Sequence, residues 1–72
     1  MFKYVLIIEG MKCSMCESHI NDVIRKNFNA KKVKSKYKKN MTTFVSEELI
    51  SDDLIKSVIS STGYKLISVD VQ

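Results

Sequence analysis

No apolar run in this chain approaches the roughly 20 residues that a membrane-spanning helix needs. The first residues also pass straight into an alternating pattern, without the charged opening of a signal peptide. Membrane insertion is therefore not expected, and the expected compartment is the cytoplasm. Proline is absent, and glycine and cysteine occur only twice each. Two cysteines make no disulfide scaffold, and in a reducing compartment a close pair is more often metal-binding or redox-active than structural. Length sets a further limit. Seventy-two residues form a single domain, 1–72, of a size that buries only about 60% of its unfolded surface. Little room remains for a deep substrate cavity beside a core, so an enzyme is not expected.

Acidic residues are missing from one long stretch. Between Arg25 and Lys39 eight residues are basic and none is acidic, whereas Glu47, Glu48, Asp52 and Asp53 follow as a cluster, within a net charge of +4. Lysines alternating along a strand are often no more than a solvated edge. A surface so concentrated in one sign also suits docking to an acidic partner.

Phe2 to Glu9 alternates and is rich in β-branched and aromatic residues, which predicts a strand with Tyr4, Leu6 and Ile8 inward and Lys3, Val5 and Ile7 outward. Gly10 breaks it. Ile20, Val23, Ile24 and Phe28 then recur at helical spacing over about Ser14 to Asn27, with Ser14 and Glu17 in the pattern of a capping box and Asn27 and Asn29 at the end. A basic strand, Lys32 to Tyr37, carries Val33, Ser35 and Tyr37 on one side; Lys38-Lys39-Asn40 makes a hairpin turn into Met41 to Ser46, whose inward residues are Thr42, Phe44 and Ser46. Ser51 is placed to cap a second helix, with Asp52 and Asp53 in its first turn, Leu54, Ile55, Val58 and Ile59 as its buried stripe and Gly63 after its end. Leu66 to Val71 is a last strand of mixed pattern. The order βαββαβ closes naturally as an α+β, ferredoxin-like sandwich: a four-stranded antiparallel sheet with two helices on one face.

The chemistry gathers in Gly10-Met11-Lys12-Cys13-Ser14-Met15-Cys16, where strand gives way to helix. Two thiols separated by two residues, one in a turn and one in the first helical turn, can face a common centre. The free N–H groups of a helix start favour the thiolate, and thiolates select soft ions: Cu(I), Zn(II), Cd(II) or Hg(II). A closed zinc site wants four ligands, and Cys13 and Cys16 have only His19 and nearby carboxylates as helpers. That favours a two-coordinate or shared site, hence Cu(I). Met11 is expected to anchor the loop in the core and Met15 to be exposed. Thiol-disulfide exchange by Cys13 and Cys16 is the alternative from a different class, and it must do without the cis-proline that faces the reactive thiols in thioredoxin-like proteins. The same element order occurs in RNA-recognition modules, but the outward positions of the central strands, Val5, Ile7, Met41, Thr43 and Val45, offer no aromatic for stacking. No specific nucleic-acid binding is expected.

Gly10-Met11-x-Cys13-x-x-Cys16 after a strand, followed by helix, basic hairpin, second helix and Gly63-Tyr64, resembles the heavy-metal-associated domains and copper chaperones across almost the whole chain. The resemblance implies that Cys13 and Cys16 ligate Cu(I), that Met11 lies beneath the loop, and that Tyr64 packs beside the site with Lys65 adjacent. It further implies transfer of the metal to a P-type ATPase or another acidic acceptor, with a metal-bridged homodimer as an accessible state. Asn29-Ala30 stands where the family usually has Gly-Val, and Ser35, Thr42 and Ser46 replace inward apolar residues. Glu17 and His19 replace residues that are commonly small or apolar, which leaves Zn(II), Cd(II) and Hg(II) open. Lys31, Lys32, Lys34 and Lys36 are the expected steering charges. The start Met and the complete βαββαβ unit favour a free protein over a domain of a larger transporter.

Overall fold

Alternation in the first strand builds the centre of the sheet. In the computed structural model, which describes all 72 residues, β1 (Phe2–Glu9) buries Tyr4, Leu6 and Ile8 completely. It lies between β3 (Met41–Ser46) and β4 (Lys65–Val71), and β2 (Ala30–Lys36) pairs with the far side of β3, giving the antiparallel order β2-β3-β1-β4. The helices α1 (Ser14–Asn27) and α2 (Asp52–Ser60) cover one face. Between the sheet and the helices lies one core, which includes Ile20 and Ile24 from α1, Phe28 just after it, Phe44 from β3, and Ile55 and Ile59 from α2. Tyr4 stacks on Phe44 at 5.0 Å between centroids, and Phe44 on Phe28 at 6.2 Å. The expected α+β ferredoxin-like sandwich is the observed one.

The polar residues facing inward from the hairpin are accommodated by pairing with one another. Ser35 Oγ donates to Asn21 Oδ1 at 2.7 Å and lies 2.8 Å from Thr42 Oγ1, while Ser46 Oγ donates to the Glu48 carbonyl and accepts the Glu48 N–H. No buried side-chain polar atom lacks a partner, so these substitutions forgo apolar area without adding the larger cost of an unpaired group.

Two bulges displace the alternation that sequence alone would extend. In β2 the register shifts between Lys31 and Lys34, where Lys32 takes a left-handed φ of 54°. Ala30 and Ser35, an odd number of residues apart, can thereby both face inward, and the strand begins two residues before the expected Lys32. In β4 Ile7 pairs with Ser68 but Ile8 with Leu66. Ile67 is the extra residue, so the half-buried Leu66 and Val69 share the core side at a spacing of three.

The helix starts differ in how they are capped. Ser51 Oγ accepts the Leu54 N–H at 3.1 Å, as expected. The capping box at Ser14 and Glu17 does not form. Cys13 is the N-cap, without a side-chain bond, and the Glu17 carboxylate accepts the Tyr37 N–H at 2.8 Å. The hairpin turn expected at Lys38-Lys39-Asn40 is a short 3₁₀ turn, Tyr37–Lys39, closed by Asn40 in the left-handed region. Leu54 is the other departure: it lies outside the buried stripe, 49% exposed.

Tyr4 ties the sheet to the segment preceding α2, because its hydroxyl accepts the Ile50 N–H at 2.7 Å and donates toward the Ile50 carbonyl at 3.3 Å. Removing that hydroxyl with Tyr4→Phe strands two backbone groups, and urea unfolding is expected to show a loss of about 1–3 kcal/mol. The titration of Cys16 should be unmoved, because Tyr4 and the thiols lie at opposite ends of the sheet.

Candidate metal site

Backbone conformation brings the thiol loop together before any side chain acts. Gly10 has a φ of +110°, and a Cβ added there would lie 3.1 Å from Cδ1 of Tyr64. Only glycine fits both the left-handed backbone and the close approach of the ring. Gly63, at a φ of +90°, turns the chain into β4 and delivers Tyr64 to that position. The two glycines of the chain thus stand on either side of one contact. Met11, 5% exposed, is buried in the core beneath the loop as expected.

Cys13 is exposed and Cys16 half-buried at the first turn of α1, with their sulfurs 3.5 Å apart. The N–H groups of Cys16 and Glu17 both point back to the Cys13 carbonyl, so the loop closes directly into the helix. The Cys16 thiol is lowered from 9.0 to about 7. The largest cause is a hydrogen bond from the Lys12 backbone, followed by the Tyr64 hydroxyl and then by Cys13. Reciprocally, the Tyr64 hydroxyl is pushed up, chiefly by its interaction with Cys16. Near neutral pH one sulfur of the pair is therefore substantially thiolate, the form that binds soft ions or attacks disulfides.

The other residues considered from sequence fall elsewhere. No group of three or more His, Cys, Asp or Glu side chains converges on one point. His19 instead meets Tyr64 edge to face, 6.0 Å between centroids, and Glu17 is bound to the Tyr37 backbone. Met15 stands free, 80% exposed. What sequence reading missed was the neighbourhood of the 3₁₀ turn. Glu17 holds Tyr37, and the Asn40 carbonyl accepts the Ile8 N–H at 2.7 Å, placing Lys38 and Lys39 at the same end of the sheet as the thiols. Register separates the expected steering lysines. Lys36 pairs with Met41, itself opposite Ile7 near the loop, whereas Lys31 pairs with Val45, opposite Lys3 at the far end. Lys31 is also bound to Glu47 at 3.2 Å.

An antiparallel βαββαβ sandwich with two thiols at the β1–α1 junction defines a class of small α+β domain with an exposed dithiol loop. Two solved structures share the fold. A CopZ metallochaperone superposes with a TM-score of 0.77, covering 90% of this chain and 98% of its own, at 18% identity. A copper-binding domain from HMA7, a P-type ATPase, superposes with a TM-score of 0.79, covering 100% of this chain and 95% of its own, at 19% identity. No family model and no curated protein sequence matches the chain.

Tyr64→Phe tests the thiol environment. Loss of the hydroxyl removes a group that favours the thiolate, so the Cys16 titration should move upward from about 7 toward 9.0. Thiolate absorbance of the reduced protein against pH reads this directly, and a downward shift would contradict the assigned interaction.

Proposed function

We propose that the chain binds a soft metal ion, Cu(I) foremost, through Cys13 and Cys16, and passes it by thiolate exchange to an acceptor domain such as that of a P-type ATPase. The observation that carries this reading is the pair of sulfurs 3.5 Å apart at an accessible helix start, one of them lowered to about 7, with no third side-chain ligand converging. The fold shared with a metallochaperone and a copper-binding domain supports it.

The chemistry of transfer follows from the geometry. An ion about 2.3 Å from each sulfur, at their present separation, sees them at roughly 100°, so its opposite side is open. An incoming thiolate can add there, giving a three-coordinate state, before Cys13 or Cys16 departs. Cys13, the more exposed, is the natural first to leave. The ion is never released to water. Zn(II), Cd(II) and Hg(II) are weaker candidates, since zinc in particular would draw further ligands that this site does not offer. A dimer sharing one ion between two loops satisfies the same open position.

Cys13→Ser and Cys16→Ser should each weaken Cu(I) binding by more than the 10–100-fold typical of losing an outer-shell partner, measured by competition with a chromophoric Cu(I) chelator under reducing conditions. Unchanged affinity in both would remove the ligand assignment.

Steering of an acidic acceptor belongs to the lysines at the thiol end, Lys12, Lys36, Lys38, Lys39 and Lys65. Reversing Lys38 and Lys39 to Glu should slow association with an acidic acceptor about tenfold at low salt, with the difference fading as salt rises. Stopped-flow association rates should show a smaller effect for reversal of Lys31 and Lys32, and equal effects for the two pairs would deny that steering is directed at the loop.

A further inference from the structure

We propose that the open face of the sheet carries an anion site for a polyphosphate group, formed by Lys3, Lys32 and Lys34 and separate from the thiol loop. A shallow cavity of about 360 Å³ lies on this face, lined by the three lysines together with Thr43, Phe44 and Val45. The lysines arrive there from two strands. Lys3 pairs across β1–β3 with Val45, and Lys34 across β2–β3 with Thr43. Lys32 lies in the bulge between Lys31 and Lys34, at a φ of 54°, next to the inward Val33, and joins Lys34 on the open side.

A lysine in the left-handed region is strained, and here the strained residue is the third cation of a surface already basic. The ion pairs of the structure are Arg25–Asp22 and Lys31–Glu47, so none of the three lining lysines is neutralised. Their mutual repulsion is relieved by a multiply charged anion sitting between them. The acidic residues nearest this face stay outside the lining: Asp70 lies opposite Val5 on the β4 side, Glu9 opposite Lys65 at the thiol end, and Glu47 is bound to Lys31.

The lining also says which part of a phosphorylated molecule is held. Phe44 is 1% exposed, with its ring stacked in the core between Tyr4 and Phe28. The outward residues of the central strands are Lys3, Val5, Ile7, Met41, Thr43 and Val45, so no aromatic surface receives a base. The site therefore recognises the phosphate chain, whether inorganic or the triphosphate of a nucleotide, and gains nothing from a nucleobase.

The test is a titration of the reduced, full-length chain with sodium pyrophosphate, tripolyphosphate and ATP, followed by amide chemical shifts at low salt. Saturable shifts at Lys3, Lys32, Lys34, Thr43 and Val45 are expected, with ATP binding no more tightly than tripolyphosphate. The double variant Lys32→Asn, Lys34→Gln should weaken pyrophosphate binding about tenfold; Asn tolerates the left-handed backbone, which keeps the bulge. Lys38→Gln should bind as the parent does. Unsaturable shifts spread equally over Lys12, Lys36, Lys38 and Lys65, or unchanged affinity in the double variant, would overturn the site. ATP binding tenfold more tightly than tripolyphosphate would overturn its assignment to the phosphate chain. None of these readouts involves metal, so the site stands or falls independently of the thiols.

Discussion

The contact of the Tyr64 ring with the backbone of Gly10 is the constraint on which the thiol loop depends. It joins the start of the last strand to the junction of the first strand and helix, and a Cβ at residue 10 would crowd the ring at 3.1 Å on a backbone already in the left-handed region. Met11 then enters the core directly after that contact. The loop is thus fixed from below by a buried thioether and from the side by an aromatic ring, while the sulfurs face outward. Rigidity at the base combined with exposure at the tip is what reversible binding of a soft ion requires. A loop that had to reorganise to form its site would oppose binding by the cost of ordering itself.

How far the sequence disclosed this arrangement depends on where regular periodicity holds. β1 and β3 keep strict alternation, so their inward residues, Thr42 and Ser46 included, were readable in advance. β2 and β4 each contain a bulge; in β2 the inward Val33 and Ser35 were still readable and only the start at Ala30 was not, whereas in β4 the extra residue breaks the alternation that would show its facing. Lys32 and Ile67 are the residues concerned, and neither is of a type that announces a bulge. The capping box failed for a different reason. Glu17 had two possible backbone partners, one local and one across the chain at Tyr37, and sequence spacing reports only the local one. Leu54 shows the same limit, since its place in a helical stripe does not reveal that it is left 49% exposed. The Cys pair, Gly10 and Gly63-Tyr64 were legible because each answers a local requirement: a turn, a close approach, two sulfurs within reach.

Charge in this molecule has two addresses. Lys12, Lys36, Lys38, Lys39 and Lys65 belong to the end that carries the thiols, while Lys3, Lys32 and Lys34 line the open sheet face. The run of basic residues in the sequence merges these groups, because β2 travels from the far end of the sheet to the thiol end and contributes to both. The acidic cluster Glu47, Glu48, Asp52 and Asp53 follows β3 at the opposite end, while the carboxylates near the thiols are engaged, Glu9 opposite Lys65 and Glu17 with the Tyr37 N–H. Surface charge of this kind acts on encounter more than on the stability of a bound state.

The different exposure of the two thiols bears on the choice between metal exchange and disulfide chemistry. A dithiol that attacks disulfides needs its nucleophile both ionised and accessible, because the rate depends on thiolate fraction and on reach. Here Cys16, whose thiol is lowered to about 7, is the less exposed of the pair. Its thiolate is held by the Lys12 backbone and the Tyr64 hydroxyl, interactions that stabilise it where it stands and oppose its advance toward an external sulfur. Metal transfer has the reverse requirement. One ligand should hold the ion while the other is free to be replaced, and the sheltered Cys16 beside the exposed Cys13 supplies that asymmetry. On the function proposed above, that asymmetry would have the incoming thiolate displace Cys13 first and leave Cys16 holding the ion until the acceptor has completed its own pair.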